Sequence, residues 1–154
     1  MAVLNTVAAQ LVEGYRRYPI DDHGKLRVQY FSLPEITVAG DANSTFDLAR
    51  MPPGRVRIYP YLSGIVSSAW GAARTLDIGH GAYNRAVGED DEIADVDAFA
   101  DGLDIAAAGF DFFNAAVLKF DVYARREWMV TAIVLGGTMP IGATLQGNIV
   151  YAVE

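Results

Sequence analysis

The carboxylates between residues 86 and 118 are the densest group of side chains in the sequence that could do chemistry. This stretch has no basic residue and holds the acidic residues Glu89, Asp90, Asp91, Glu92, Asp95, Asp97, Asp101, Asp104 and Asp111. Calcium takes about six to eight oxygen ligands, but the spacing lacks the Asp, Gly and Glu positions of an EF-hand loop. Charge runs are usually solvated or part of an interaction surface. We therefore favour a solvated acidic loop, then a surface for an arginine-bearing partner, and last a calcium site.

The other reactive side chains do not form a catalytic set. The two histidines, His23 and His80, are far apart and match no metal-binding spacing such as His-x-x-x-His. The chain has no cysteine, which excludes thiolate catalysis and cysteine-based zinc sites. Neither the Gly-x-Ser-x-Gly elbow of hydrolases nor a glycine-rich phosphate loop occurs. We expect no enzyme activity, no metal and no cofactor.

Composition restricts the fold and the partners. The 154 residues are 52% hydrophobic and 20% charged, with a formal net charge of −7, which favours one folded domain over disorder. Nucleic-acid binding depends on Lys and Arg contacts to phosphates, so the acidic charge argues against it. No apolar run is long enough to cross a membrane, and the start lacks the basic region of a signal peptide. We expect a soluble protein that binds neither nucleic acid nor membrane.

Residues 25–154 show the period-two alternation of β-strands. Leu26, Val28 and Tyr30 form the apolar side of one predicted half-buried strand, and Val56 and Ile58 point inward from another. Further strands are predicted near residues 36–38, 46–48, 76–78, 110–123, 127–135 and 142–153, and a short helix over residues 95–100. Glycine- and proline-rich turns separate them, as in sandwiches and barrels. The sequence predicts an all-β, jelly-roll-like β-sandwich of about eight strands.

Residues 1–24 form a separate N-terminal arm or helix in this scheme. Apolar residues recur there at helical spacing, Gly14 can end a helix, and a basic, aromatic stretch follows. Two alternatives remain open: a helix that packs on its own domain, and an arm that buries its apolar side on another subunit. The arm residues assigned to a partner interface are Val3, Leu4, Val7, Leu11, Tyr15, Arg16, Arg17 and Tyr18.

A second predicted interface lies around the strand of residues 55–62. Arg55, Arg57 and Tyr59 share the face opposite Val56 and Ile58, and Tyr61 and Trp70 follow nearby in sequence. Tyr, Trp and Arg are the usual hot-spot residues of protein interfaces. We favour an interface slightly over ordinary cross-strand packing, and both over a carbohydrate platform.

Four runs resemble small structural proteins of tailed bacteriophages: residues 51–60 (MPPGRVRIYP), 73–80 (ARTLDIGH), 101–109 (DGLDIAAAG) and 142–151 (GATLQGNIVY). The similarity covers residues 36–153 and omits the N-terminal segment. It implies a head decoration or cement protein that clamps subunits of the major capsid protein. Such a protein would be made in the host cytoplasm, reside on the capsid surface of the virion, and associate with itself as a dimer or trimer.

Two other functions compete with this one. A tail or neck subunit would form rings of fixed symmetry in isolation. A glycan-binding β-sandwich module would hold a sugar on Tyr59, Tyr61 or Trp70.

Overall fold

The computed structural model describes residues 25–41, 43–85 and 87–154, together with the backbone of residues 3–5. Its strands are β1 (Val3–Asn5), β2 (Leu26–Leu33), β3 (Thr45–Met51), β4 (Gly54–Ile58), β5 (Gly64–Ser67), β6 (Thr75–His80), β7 (Asp95–Asp104), β8 (Gly109–Phe112), β9 (Phe120–Ala124), β10 (Trp128–Leu135) and β11 (Leu145–Val153). A short 3-10 turn, Pro60–Leu62, separates β4 from β5. None of the described helical segments is long and apolar enough to span a membrane.

The strands form two sheets that pack face to face. The first sheet has the order β1-β3-β10-β6-β7, and in the second β11 lies between β2 on one side and both β4 and β5 on the other. β4 and β5 pair with successive parts of β11, so together they fill one strand position of the sheet. β9 pairs with the other side of β4 and β8 with the other side of β5, so β8 and β9 together fill the next position. If β1 is left out and these combined positions are numbered 1 to 8 along the chain, the second sheet has the order 1-8-3-6 and the first has the order 2-7-4-5. These are the strand orders of an eight-stranded jelly roll. The prediction of an all-β jelly-roll-like sandwich is confirmed.

The core lies between the sheets and follows directly from the alternation. In β10, every second residue from Trp128 to Val134 is buried and the residues between them are half-buried. The side chains of Val56 and Ile58 point inward, as predicted, and are fully buried. Period-two burial of this kind fixes the face that each strand presents to the partner sheet.

The helix predicted over residues 95–100 is wrong, because this segment belongs to β7, an edge strand that pairs with β6. The register slips twice along the pair, so β7 carries extra, bulged residues, and Gly102 there has a φ of +65°. Bulges interrupt the period-two pattern. Phe99, Ala100 and Leu103 are therefore buried while Asp101 and Gly102 between them are exposed, a spacing of i, i+1 and i+4 that strict alternation does not give and a helix does.

Two smaller predictions also differ from the structure. The strand predicted over residues 110–123 is divided into β8 and β9, and residues 36–38 form a loop rather than a strand. In the N-terminal segment, β1 pairs in parallel with Thr45–Asp47 of β3. The rest of the arm or helix predicted for residues 1–24 lies outside the described residues, so that prediction stays open.

Candidate assembly interface

The outer face of the second sheet carries several exposed apolar side chains. We call it the aromatic face, and its members are Leu26, Val28, Tyr30, Val66, Phe110, Phe112 and Tyr123. The strand register places Tyr30, Asn148, Gly64 and Phe112 in one row across the sheet. Tyr30 is 72% exposed and Phe112 is 57% exposed. Several large apolar side chains exposed on one face mark a binding surface more often than single exposed residues do.

Two phenylalanines form the centre of one side of this face. The rings of Phe110 and Phe112 meet edge to face, with their centroids 4.8 Å apart. Phe110 also leans over β5, where a Cβ on Gly64 would lie 2.9 Å from its ring. The absence of a side chain at Gly64 therefore makes room for the ring over β5, and an aromatic ring held in this way has little side-chain entropy to lose on binding.

The orientation of β2 corrects the sequence-based prediction. Leu26, Val28 and Tyr30 were expected on the buried side of a half-buried strand, but all three are exposed. Phe31 and Leu33 are the buried residues of β2. Because side chains alternate strictly between the two faces, burying Phe31 and Leu33 forces the three apolar residues with even numbers outward.

The outer face of the first sheet has a different character. Its outward side chains include Thr45, Thr75, Asp77 and Thr131, which alternate with half-buried aliphatic residues of β10. Among the described large apolar residues that are exposed, only Val96 lies on a strand of this sheet. The two faces of the sandwich are thus unequal, and the apolar one is the better candidate for contact with another molecule.

Charged side chains flank the aromatic face at the end of β4. The Nε atom of Arg57 donates to Asp121 Oδ1 at 2.7 Å, and its Nη1 atom lies 2.6 Å from Glu154 Oε1. Arg55 contacts the same two carboxylates at 3.2 and 3.6 Å. The hydrogen bond from Arg57 and its positive charge hold the pKa of Asp121 below its usual value, while Asp121 raises the pKa of Arg57. This is the polar rim that commonly surrounds an apolar interface.

The predicted interface around residues 55–62 is only partly assembled. Arg55 and Arg57 do share the outer face of β4, and Tyr59, one residue past the strand, lies beside Arg57. Tyr61 lies within the 3-10 turn and is exposed. Trp70 is 1% exposed and must be removed from the predicted interface, because it packs edge to face on Phe46 and donates its indole N–H to a backbone carbonyl. A sugar platform built on Trp70 is thereby lost.

The predicted arm residues divide into two groups. Val3 and Leu4 belong to β1, of which only the backbone is described. The others lie outside the described residues: Val7, Leu11, Tyr15, Arg16, Arg17 and Tyr18. Sequence reasoning missed Phe110 and Phe112, although their i, i+2 spacing in a predicted strand was a usable signal for a shared face.

The acidic segment is an ordered hairpin followed by β7. Tyr83 and Glu92 bridge its two sides, Arg85 forms ion pairs with Glu89 and Glu92, and Arg125 lies 4.0 Å from Asp91. Several carboxylates of the predicted solvated loop are therefore paired with arginines of the same chain. Within the described part of the chain, no three His, Asp or Glu side chains are grouped so that they could hold a metal ion.

Carboxylates of β7 line a groove of about 440 Å³ on the side of the sandwich. Asp95, Asp97 and Asp101 form its acidic wall, and Phe120 contributes an apolar one. The pKa of Asp95 is raised, chiefly by its hydrogen bond with Asp97. Burial raises the pKa of the neighbouring Asp77, which accepts the Gly102 N–H at 2.7 Å. The side edge of the first sheet is therefore strongly negative.

Solved virus structures share this fold. A chain from the structure titled "Capsid of Ralstonia phage GP4" aligns with 99% of this chain and 99% of its own length, with a TM-score of 0.68 and 19% identity. A chain of the cyanophage Pam1 capsid asymmetric unit covers 91% of this chain and 93% of its own length, with a TM-score of 0.54 and 12% identity. No protein-family model matches the sequence, and no curated protein matches it significantly. At these identities the likeness establishes the fold.

Proposed function

We propose that this chain is a structural subunit of a virus particle, specifically a decoration or cement protein that binds the major capsid protein on the capsid surface. The observation that carries the proposal is the aromatic face, a broad apolar surface on a rigid jelly roll. A second observation also supports the proposal. A chain in the phage GP4 capsid structure has the same fold over nearly the full length of both chains. In this role the chain needs no catalytic group or cofactor.

The physics of cementing suits such a surface. Phe110, Phe112 and Tyr30 offer large, flat side chains that lose little entropy when a partner covers them. The ion pairs of Arg55 and Arg57 beside them can orient the partner without adding much affinity. Each contact can remain modest, because a capsid lattice presents many equivalent sites and subunits linked to one another bind by avidity.

Reconstitution on capsids tests the proposal. Capsids stripped of the protein are mixed with wild-type chain or with the double variant Phe110→Ser, Phe112→Ser, and bound protein is measured by co-sedimentation. We expect the double variant to remain folded by circular dichroism and to lose about tenfold or more in affinity, since two large apolar contacts are removed. The matched control is Val96→Ser on the other sheet, which should bind like the wild type.

Electron microscopy of the decorated particles distinguishes the remaining alternatives, because it shows location and copy number together. Density on the outside of the capsid lattice, with the second sheet toward the shell, is the expected result. Density confined to the neck or tail, or closed rings formed by the isolated protein, would instead identify another virion component. Equal decoration by the wild type and the double variant would contradict the assignment of the aromatic face.

A further inference from the structure

Three residues that belong to no strand connect the two sheets on the side of the sandwich between β7 and β8. We call residues 113–115, which directly follow β8, the clasp. The Phe113 N–H donates to the Ser63 carbonyl at 3.0 Å, beside β5 of the second sheet. The Ala115 N–H donates to the Phe99 carbonyl at 3.2 Å, on β7 of the first sheet. Phe113 and Ala115 are both buried, so the clasp is bonded to both sheets and closes the core between them.

The middle residue of the clasp bonds the edge of β7 as a neighbouring strand would. The Asp101 N–H donates to Asn114 Oδ1 at 2.8 Å, and Asn114 Nδ2 donates to the Asp101 carbonyl at 2.7 Å. Two residues that face each other in an antiparallel ladder exchange the same pair of N–H and C=O bonds. One side-chain amide therefore takes the place of a strand partner for Asp101.

A bulge in β7 explains why Asp101 uses such a partner. The register between β6 and β7 shifts here, so that Asp101 and Gly102 together oppose Asp77. A ladder leaves the extra residue of a bulge unpaired, and its backbone groups then need other partners. The Gly102 N–H donates to Asp77 Oδ1 at 2.7 Å, and both backbone groups of Asp101 bond Asn114.

The clasp also restrains the strand that carries two rings of the aromatic face. β8 is four residues long and, among the described strands, pairs with β5 alone. The bond from Phe113 to Ser63 extends that pair by one residue, and Asn114 then ties its end to the other sheet. Short segments with few neighbours and exposed hydrogen bonds are the ones that open locally. Both Asn114 bonds are exposed, so water can replace them.

We propose that the clasp is a latch built into the fold: the Asn114 bonds open and close without global unfolding, and their closed state fixes β8 in the arrangement that a partner binds. Asn114 is thus a positioning residue for Phe110 and Phe112, although it touches neither sheet's outer face. The effect on a partner rests on the function proposed above, whereas the local opening does not.

Residue-resolved hydrogen exchange by NMR tests the latch in the isolated chain. Asn114→Ala removes both bonds, so the Asp101 amide should exchange about tenfold faster or more. The amides of Phe113 and of β8 should accelerate with it, and those of β10 at the centre of the first sheet should not. The matched control is Asn84→Ala, which removes an exposed side-chain amide bonded to Asp91 at 2.8 Å and should leave all these amides unchanged.

The pattern of exchange decides between a latch and a local cap. Faster exchange at Asp101 alone would overturn the proposal, because Asn114 would then serve only the bulge. Equal acceleration in β10 would also overturn it, because the variant would then have lost global stability. If circular dichroism shows that Asn114→Ala does not fold, Asn114→Asp gives the same comparison, since it keeps the acceptor for Asp101 and loses the donor.

Exchange on decorated capsids, read by mass spectrometry, tests the effect on a partner. A partner that binds only the closed state must also favour that state, so the Asp101 segment should exchange more slowly in bound than in free chain. In Asn114→Ala, bound β8 should still be protected while the Asp101 segment is not. Protection of β8 alone in the wild type would overturn the positioning role. A chain that does not bind capsids would instead contradict the proposed function, and the measurements on the isolated chain would still decide the latch.

Discussion

The ring of Phe110 on β8 lies against Gly64 on β5, so closely that a Cβ at position 64 would be 2.9 Å from the ring Cζ atom. The same Cβ would lie 2.9 Å from the backbone carbonyl oxygen of Asp111. Phe110 in turn supports Phe112. The shape of the aromatic face therefore depends on a glycine in the neighbouring strand as much as on the rings themselves.

Gly64→Ala should destabilise the fold and disturb the aromatic face together. The methyl group must displace the Phe110 ring and strain the β5–β8 pair, and overpacking of this kind costs about 1–3 kcal/mol. Urea unfolding measures the loss in the free energy of unfolding. Gly109→Ala is the matched control, because a Cβ there meets nothing within 4 Å. Similar losses from both variants would mean that strand propensity, and not the contact with Phe110, is responsible.

Strand patterning predicted the architecture because most strands of this sandwich bury one face, and β4 and β10 show the expected alternation without interruption. The orientation of β2 could not be obtained in this way. Both parities of β2 contain apolar residues, and only contact with the first sheet selects Phe31 and Leu33 for burial. The bulges of β7 likewise depend on its pairing with β6, which no local pattern encodes.

The candidate site was predictable where it coincides with a regular strand. Arg55 and Arg57 share an outer face because alternation in β4 is strict. Trp70 follows β5 in a loop, where periodicity assigns no face, and its proximity in sequence to Tyr61 did not mean proximity on the surface. The pairing of Phe110 with Gly64 joins residues 46 positions apart and required the sheet topology.

Asp121→Asn should lower the free energy of unfolding at neutral pH, and this loss should shrink as the pH falls. Arg57 holds the pKa of Asp121 below its unfolded value, so the stabilisation is present above the unfolded pKa and is lost as the pH falls through the folded pKa. Thermal melting temperatures of the wild type and the variant should therefore differ at pH 7 and converge as the pH falls through the folded pKa of Asp121. High salt should also reduce the difference, because the pair is accessible to solvent.

Asp90→Asn serves as the control for this comparison, because it removes the same charge at an exposed position for which the structure gives no ion pair. If it shifts the melting temperature as much as Asp121→Asn does, net charge is responsible and the Arg57 contact is not.

Asp77 should give the opposite dependence on pH. This residue is 6% exposed, and burial, with the nearby charges of Asp101 and Asp97, raises the pKa of its carboxyl. The folded state therefore binds this proton more tightly than the unfolded state, and its contribution is lost as the pH rises from the unfolded pKa through the folded one. Asp77→Asn keeps an acceptor for the Gly102 N–H and removes the charge, so its free energy of unfolding should depend less on pH above the unfolded carboxyl pKa of about 3.9.

The companion variant Asp77→Ala separates the charge from the hydrogen bond. It leaves the Gly102 N–H without this acceptor, and a hydrogen bond of this kind contributes about 0.5–1.5 kcal/mol. Urea unfolding at pH 7 should therefore give a higher free energy of unfolding for Asp77→Asn than for Asp77→Ala. A reversed order would show that the bond from Gly102 contributes little to the β7 bulge.

Trp70 should behave as a core residue rather than a binding residue. Trp70→Ala removes its contact with Phe46, and large aromatic truncations cost about 3–5 kcal/mol. Trp70→Phe keeps much of the ring packing and loses the bond to the Thr144 carbonyl, so it should cost less. Differential scanning calorimetry gives both values. A stable Trp70→Ala variant that had lost binding to a glycan would contradict the buried position.

Deleting residues 1–17 should leave a folded β domain that attaches more weakly to capsids. All eight strand positions of the jelly roll lie in β2–β11, so circular dichroism should change little, although β1 and its pairing with β3 are removed. The double variant Val7→Ser, Leu11→Ser keeps β1 and tests the apolar side of the arm alone. Each buried side chain of this size contributes about 1.5–3 kcal/mol before ordering costs, so co-sedimentation should show at least about a tenfold loss in affinity. If the deletion weakens attachment and the double variant does not, β1 is the part of the arm that the capsid contact requires; if neither does, the arm has no role in attachment.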